Sequence, residues 1–195
     1  MRVGLLGGSF DPPHAGHLAF AEAALEALEL DEVVFLPTNR NPLKKEAGAT
    51  PAQRMEMLRI LVGDRPKMAI SDVEITRGGP SYTVDTLSEF HFASPAEYWF
   101  LIGADAIRSL HQWKQPQRLM RLCRFGVALR PPMTETDLMS RLTPDVKERV
   151  DLVRMPLVDI SSTELRDRVA RGRPLKPWAP PALISYINEK KLYRG

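Results

Sequence analysis

The stretch at residues 7–17 limits what this chain can fold into more than any other feature. It reads GGSFDPPHAGH and lies between an apolar run at residues 3–6 and an alanine- and leucine-rich run at residues 18–28. The first run is typical of a buried strand and the second of a helix. A strand, a turn with paired glycines and a helix start favour a phosphate site, because the first amides of a helix lack intrahelical acceptors and lie at its positive end.

The residue types in this stretch suit a nucleotide. Gly7 and Gly8 are expected to form a tight turn and to let an anionic ligand approach the backbone, since neither carries a Cβ. His14 and His17 are three residues apart, so both imidazoles lie on one side of the first helical turn. Gly16 between them leaves a bare patch where a flat group could lie. The pattern predicts that the two histidines contact phosphate.

Other interpretations of the stretch remain open at this point. Paired glycines after a strand can form an ordinary turn, and a histidine near a helix start can be a cap or a surface residue. Asp11, His14 and His17 could also bind a metal ion, but zinc usually takes three or four protein ligands and the sequence has no Cys or His cluster elsewhere to complete such a site. We therefore expect no metal held by protein ligands.

The same residues resemble a known family. GGSFDPPHAGHL, at residues 7–18, is similar to the signature of the HxGH nucleotidyltransferases, and in particular to that of the bacterial nicotinate-nucleotide adenylyltransferases. The short H-x-G-H core marks the whole superfamily, which includes phosphopantetheine adenylyltransferase and cytidylyltransferases, whereas the longer form is more specific. The resemblance implies that this stretch binds ATP, through Gly7, Gly8, Ser9, Phe10, His14, Gly16 and His17.

Length and composition are those of an ordinary globular protein. The 195 residues are enough for one domain, residues 1–195, with a buried core. A net charge of +3 without a lysine-arginine block argues for neither nucleic acid nor membrane as a partner. No apolar run approaches the roughly 20 residues of a membrane span, and the start of the chain shows no signal-peptide pattern. With a single cysteine, Cys123, these features predict a cytoplasmic protein.

Apolar runs and helical patterns alternate along the chain, which predicts an α/β fold. We expect a Rossmann-like, doubly wound sheet, mainly parallel, with helices on both faces. Thr50 and Gln53 read as a capping box with Pro51 at the first helical position. The expected strands are residues 3–6, 33–36, 68–75, 98–102 and 125–129, and the expected helices include residues 15–28, 51–62, 133–150 and 182–191.

A basic loop at residues 38–50 follows the second strand, at the edge where open α/β sheets bind ligands. Such a loop can also be simply solvated. In the resembled family a PPHK-like segment here holds the mononucleotide substrate, which implies substrate contacts for Asn39 and Lys44. The sequence departs from that pattern, with Asn41-Pro42-Leu43-Lys44 in place of the proline pair, histidine and lysine. Lys44 matches, but with Leu43 in the place of the histidine we expect no imidazole contact to phosphate from this loop.

The segment at residues 79–87, GPSYTVDTL, precedes a short helical pattern. Ser81 and Thr83 would both serve as helix N-caps. The segment also resembles the SYT-x-x-TL block of the nicotinate-nucleotide adenylyltransferases, and this resemblance implies that Tyr82 and Thr83 face the pyridine end of the substrate. Amides at a helix start suit a carboxylate, which distinguishes nicotinate from nicotinamide.

Two further motifs follow strands. Gly103-Ala104-Asp105 ends an apolar strand, a frequent ribose or phosphate contact position, although Asp105 could equally cap a helix. By resemblance to the family's third motif, Trp113 stacks on the pyridine ring beside Lys114; packing is the alternative for this indole. Arg130, at the end of the next strand, is expected by the same resemblance to contact ATP phosphate.

The last motif is ISSTELR at residues 160–166. Ser161 and Glu164 read as a capping box, which would explain the pattern structurally. The segment also resembles the family's I-S-x-T/S-x-x-R motif, which implies ATP phosphate contacts for Ser161, Ser162, Thr163 and Arg166.

Together the motifs imply an adenylyltransferase that joins ATP and nicotinate mononucleotide by direct in-line displacement. We predict that His17 contacts the α-phosphate, His14 the β- or γ-phosphate, and that His14, His17 and Arg166 carry catalysis, with Mg²⁺ bound through the ATP phosphates. Nicotinamide mononucleotide or pantetheine phosphate as substrate, and a nucleotide sensor without catalysis, remain alternatives. The sequence does not determine the oligomeric state, and a homo-oligomer remains an alternative to a monomer.

Overall fold

One sheet organises the chain. The computed structural model describes residues 1–42, 48–129 and 131–194. The strands in this part of the chain are β1 (Arg2–Gly8), β2 (Glu32–Pro37), β3 (Met68–Ile70), β4 (Glu97–Gly103), β5 (Arg124–Leu129) and β6 (Val150–Arg154). They are ordered β3-β2-β1-β4-β5-β6, and each neighbouring pair is parallel. The expected α/β class is confirmed, and the described sheet is parallel throughout.

Helices cover both faces of the sheet, as predicted. In the described residues they are α1 (Ala15–Ala27), α2 (Pro51–Val62), α3 (Val73–Arg77), α4 (Thr83–Ala93), α5 (Ala104–Arg108), α6 (Pro116–Leu122), α7 (Glu135–Met139), α8 (Pro144–Lys147), α9 (Ser162–Ala170) and α10 (Pro181–Glu189). Within these same ranges, no helix combines the length and apolarity that crossing a membrane would need.

Successive side chains of the central strands lie on opposite faces of the sheet and pack into two separate hydrophobic cores. Leu6 and Phe35 pack with α1, α2, α9 and α10 on one face. Leu5 and Val34, each one residue earlier, pack with α4, α5 and α6 on the other. Strands buried on both faces read as continuous apolar runs, which is why the sequence pattern identified β1, β2, β4 and β5.

The strand order reverses direction between β1 and β4. The chain moves outward from β1 through β2 to β3, then returns to add β4 on the other side of β1. Connections leave these two halves in opposite directions, so a crevice opens beyond the carboxyl end of β1. The loops that follow β1, β2 and β4 therefore meet at this edge.

Two predicted elements are wrong. The strand expected at residues 68–75 ends at Ile70, and the chain then forms α3, which places Glu74 in hydrogen-bond contact with Thr86 of α4. The polar helix expected at residues 133–150 is two short helices, because Pro144 begins a new one, and Val150 opens β6. The sequence pattern does not predict β6, because it is an edge strand whose burial is discontinuous.

Helix caps agree better with the sequence. Thr50 and Gln53 form the predicted reciprocal capping box at the start of α2. Ser161 caps α9 by accepting a hydrogen bond from the amide of Glu164 at 3.1 Å, but the Glu164 side chain pairs with Arg168 at 2.8 Å, so only this half of the predicted capping box forms. These interactions join residues three apart, which explains why the local pattern suffices to predict them.

Candidate active site

The loop after β1 carries the two histidines, but the glycines before it do not form the expected turn. Gly7 and Gly8 belong to β1 and pair with Leu36 and Pro37 of β2. A Cβ on Gly7 would lie 2.7 Å from the ring of Phe100 and one on Gly8 3.1 Å from the ring of Phe10. The two glycines therefore make room for aromatic rings, and the chain turns later, at Phe10, whose φ is 50°.

His14 and His17 lie against each other at the start of α1. Their ring centroids are 3.8 Å apart and the planes are inclined by 31°. The backbone amide of His14 donates a hydrogen bond of 3.1 Å to Nδ1 of His17. A nitrogen that accepts this bond carries no proton, so the neutral His17 ring is protonated at Nε2, which makes Nε2 a hydrogen-bond donor.

The histidine rings are held by apolar neighbours. Phe10 packs its edge against His17 with a centroid distance of 4.9 Å, and it also contacts Phe35 of β2. His14 is buried and His17 half-buried. A Cβ on Gly16 would lie 3.1 Å from the His14 ring and 3.7 Å from Val158. The flat group that lies against Gly16 is thus the His14 imidazole.

The start of α9 is joined to the same loop. Oγ of Ser162 donates a 2.8 Å hydrogen bond to the carbonyl oxygen of Pro12. Nη1 of Arg166 donates to the carbonyl oxygen of Asp11 at 2.7 Å, while Nη2 donates to Oγ1 of Thr163 at 3.0 Å. The structure therefore joins the first turn of α9 and the Arg166 guanidinium to the loop that leads into α1 and its two histidines.

Ser161 lies at the edge of a cavity. This cavity, about 560 Å³, is lined by Pro131 and by the segment that leads into α9. Trp178 forms part of its wall, and the guanidinium of Arg168 lies 4.4 Å from the Trp178 ring centroid. The cavity is large enough for part of a nucleotide and adjoins the start of α9. Arg130 and Lys44, which the sequence assigned to the site, lie outside the described residues.

A second cavity, about 260 Å³, opens beside the carboxyl end of β2. Asn39 forms part of its wall and is fixed by two hydrogen bonds. Its backbone amide donates to Ser81 Oγ at 2.9 Å, and its side-chain Nδ2 donates to the carbonyl oxygen of Gly79 at 2.9 Å. Ser81 is thus a link between loops. Neither Ser81 nor Thr83 is the N-cap of α4, because that position is taken by Tyr82.

Arg54 fixes the floor of this cavity. Its buried guanidinium donates to the carbonyl oxygens of Ser9 at 2.7 Å, Asn39 at 3.1 Å and Ala49 at 3.3 Å. Burial lowers the pKa of Arg54, against the opposing effect of the Asp11 charge, but an arginine stays protonated in proteins. Arg54 therefore joins the loop after β1 to both ends of the loop at residues 38–50, and no motif in the sequence predicts this role.

The residues expected at the pyridine end lie near one another. Nζ of Lys114 is 4.5 Å from the ring centroid of Tyr82 and pairs with the carboxylate of Asp85 at 2.8 Å. Thr83 is the first residue of α4, so its amide lies in the first turn. The Trp113 ring meets Phe100 edge-on at 5.8 Å, and its buried Nε1 has no hydrogen-bond partner among the described residues.

Asp105 stands apart from these contacts. It is the second residue of α5, it does not cap that helix, and its side chain is 93% exposed, with Arg108 at 3.4 Å. Among the described residues its side chain therefore contacts Arg108, a neighbour on its own helix. Its predicted contact with ligand ribose or phosphate stays a prediction.

Comparison with known proteins identifies the family of the chain. The chain matches the family model described as cytidylyltransferase-like over residues 5–168. It is 41% identical to the probable nicotinate-nucleotide adenylyltransferase of Roseiflexus sp. (strain RS-1) over 194 residues, covering 98% of each chain. It is also 41% identical to the protein of the same name from Exiguobacterium sibiricum, covering 99% of each chain.

A solved structure shares the fold. The Plasmodium falciparum nicotinic acid mononucleotide adenylyltransferase complexed with NaAD superposes with a TM-score of 0.82, at 20% identity, over 98% of this chain and 97% of that one. At this identity the likeness shows the fold alone, whereas the curated relatives match along nearly the whole chain at 41% identity. The chain belongs to the nicotinate-nucleotide adenylyltransferase family of cytidylyltransferase-like proteins.

Proposed function

We propose that this protein transfers the adenylyl group of ATP to nicotinate mononucleotide, giving deamido-NAD and pyrophosphate. The observation that carries the proposal is the junction between α1 and α9, where Ser162 and Arg166 bond to the loop that holds His14. Two helix N-termini and a guanidinium at one place suit a polyphosphate. The names of the curated relatives support the choice of substrates.

The reaction needs no nucleophile from the protein. The phosphate of the mononucleotide attacks the α-phosphorus of ATP in line, and the bond to pyrophosphate breaks. What the protein contributes is alignment of the two phosphates and stabilisation of the charge that develops on the α-phosphate oxygens and the leaving group.

In this proposal His17 contacts the α-phosphate. In the neutral ring Nε2–H is the donor, because Nδ1 accepts the His14 amide. The ring can therefore stabilise the transition state by donating a hydrogen bond without changing its tautomer. His14, stacked beside it, is assigned to the β- or γ-phosphate, and Arg166 with the hydroxyls of Ser161 and Thr163 and the backbone amide of Ser162 to the remaining phosphate charge.

The mononucleotide is assigned to the β2 and α4 side of the crevice. Asn39 and the buried charge of Arg54 line the cavity there, which favours a phosphate. The first amides of α4, next to Tyr82 and Thr83, would meet a carboxylate on the pyridine ring. Trp113 and Lys114 lie on the same side and are assigned to the ring.

We propose that Mg²⁺ enters bound to the ATP phosphates. Both carboxylate oxygens of Asp11 already accept hydrogen bonds, from Gly48, Ala49 and Tyr193. Across residues 1–42, 48–129 and 131–194, no three His, Cys, Asp or Glu side chains lie close enough to hold an ion. Phosphate oxygens and water would therefore be its ligands, and its chemical contribution would be to neutralise phosphate charge.

We propose further that residues 1–195 form one catalytic domain and that the reaction takes place in the cytoplasm. The single sheet that collects strands from residue 2 to residue 154 supports the first point. The second point is supported by the single cysteine, which excludes an internal disulfide. Cys123 is a buried thiol whose pKa is raised to about 12 by burial, as expected of a structural and unreactive residue.

A substrate panel tests the function. Pyrophosphate release is measured with ATP and, separately, nicotinate mononucleotide, nicotinamide mononucleotide and pantetheine phosphate. We expect the highest kcat/KM with the nicotinate compound. A higher kcat/KM with one of the other two acceptors would show that nicotinate mononucleotide is the wrong substrate. Binding of ATP without turnover on any acceptor would favour a nucleotide sensor.

A further inference from the structure

Asp11, in the loop between β1 and His14, has more long-range contacts than its place in the motif indicates. Its side chain is buried, at 4% exposure. Oδ2 accepts the amide of Gly48 at 2.7 Å, and Oδ1 accepts the amide of Ala49 at 3.0 Å. These amides lie just before α2, at the cavity beside β2. Asp11 therefore connects the ATP side of the crevice to the mononucleotide side.

A third donor to Asp11 comes from the far end of the chain. The hydroxyl of Tyr193 donates to Oδ1 of Asp11 at 2.7 Å, across 182 residues of sequence. The Tyr193 ring also covers Gly48, since a Cβ on Gly48 would lie 3.3 Å from two of its ring atoms. One aromatic side chain thus contacts both partners of the connection.

The backbone at Tyr193 is held in an unfavourable conformation. Its φ is 60°, in the left-handed region that bulky residues rarely adopt. Lys191, two residues earlier, has a φ of 52°. Between them Leu192 is buried and its amide donates to the carbonyl oxygen of Ile187 in α10. Strained residues of this kind persist when their surroundings over-determine them, and they are concentrated at functional sites.

Charge strengthens the arrangement. Nη1 of Arg166 lies 3.9 Å from Oδ2 of Asp11, so the carboxylate sits beside a guanidinium that we assign to ATP. Burial and the adjacent Asp11 carboxylate raise the pKa of Tyr193, which keeps its hydroxyl protonated and able to donate.

We propose that Tyr193 is a positioning residue that acts through Asp11. By holding that carboxylate, it fixes the loop that carries His14 against Gly48 and Ala49, and so sets the spacing between the ATP and mononucleotide subsites. The inference rests on the proposed function for its kinetic consequences, but the geometry it assigns can be tested without turnover.

The test compares Tyr193→Phe with Tyr98→Phe. Each variant deletes one hydroxyl from a tyrosine whose hydroxyl makes a hydrogen bond. The Tyr98 hydroxyl donates to the carbonyl oxygen of Ser94 at 2.5 Å, away from the crevice, so Tyr98→Phe is the control. For Tyr193→Phe we expect the KM for nicotinate mononucleotide to rise roughly tenfold, the size of a lost hydrogen bond to a charged group, with kcat changed less than about threefold. Tyr98→Phe should keep wild-type KM values even if its Tm falls.

Hydrogen exchange gives a second readout that does not need activity. The amides of Gly48 and Ala49 should exchange faster in Tyr193→Phe than in wild type. Their exchange rates in Tyr98→Phe should equal those of wild type. Wild-type exchange at both amides together with a wild-type KM would overturn the inference, as would equal kinetic changes in the two variants. An inactive wild-type protein would instead overturn the proposed function, and the exchange data would still decide the inference.

Discussion

Ser162 at the start of α9 donates a 2.8 Å hydrogen bond to the carbonyl oxygen of Pro12, 150 residues earlier in the chain. The bond joins the last sequence motif to the first. Because Pro12 lies two residues before His14, it also sets where the imidazoles stand relative to the α9 amides. Four residues on, Arg166 bonds to the carbonyl oxygen of Asp11, so the junction has two points of attachment.

Replacing His17 tests the assignment to the α-phosphate. His17→Ala removes the Nε2–H donor, and we expect kcat to fall about a hundredfold or more, as for loss of a donor to a developing oxyanion. Pyrophosphate release with ATP and nicotinate mononucleotide measures it. His91→Ala is the control, since His91 contacts the carbonyl oxygen of Leu122 and Tyr98 instead. Equal activity of His17→Ala and wild type would refute the mechanism.

Arg166 is expected to need its planar guanidinium. Its two nitrogens donate to different acceptors, Asp11 and Thr163, so Arg166→Lys cannot keep both bonds. We expect kcat/KM for ATP to fall at least about tenfold in Arg166→Lys and further in Arg166→Ala. Arg171→Ala, an exposed cation at the end of α9, is the matched control. The assignment would be wrong if Arg171→Ala lost as much activity as Arg166→Ala.

Gly16→Ala should separate stability from activity. Alanine in the first turn of α1 favours the helix by roughly 0.5–1 kcal/mol over glycine. Its Cβ, however, would lie 3.1 Å from the His14 ring, which must then shift by a few tenths of an ångström. We expect an unchanged or higher Tm with a kcat/KM reduced about tenfold. Calorimetry and initial-rate assays measure the two, and full activity would show that the His14 position is not critical.

Glu74 is expected to make stability depend on pH. Its pKa is raised above the ordinary value of 4.5, first by burial, against the opposing hydrogen bonds of Thr86 and Ser81 and the charge of Arg77, with Glu89 adding to the rise. Between the unfolded and folded pKa values the folded state binds more protons, so the free energy of unfolding decreases as pH rises through this window.

Glu74→Gln removes this titration. The free energy of unfolding of the variant relative to wild type should therefore increase as pH is raised from about 4 through the folded pKa of Glu74. Urea titrations at several pH values measure the difference. A difference that stays constant with pH, or that decreases, would contradict the assignment of a raised pKa to Glu74.

Much of the local structure could be read from sequence, and the reason is that its causes are local. The strands buried on both faces are continuous apolar runs, and the caps at Thr50 and Ser161 depend on residues three positions away. The motifs around His14 and Ser161 also identified the two helix starts that the structure brings together. The individual roles of the site residues stay predictions.

Where the sequence reading was wrong, a partner distant in the chain decided the structure. β1 extends through Gly7 and Gly8 because β2 pairs with them and Phe100 and Phe10 fill the space above them. β6 forms because its backbone pairs in parallel with that of β5. Neither outcome depends on spacing within the segment itself, so periodicity could not predict it.

The sequence by itself determined the fold class, the family and the positions in the chain where α1 and α9 begin. Only the tertiary structure decided how the segments of the site are joined: Ser162 to Pro12, Arg166 and Tyr193 to Asp11, and Arg54 to Ser9. The physical reason is that each of these hydrogen bonds satisfies a buried polar group with a partner 45 or more residues away. Such partners become neighbours only in the folded protein, where the sheet and its helices bring these segments together.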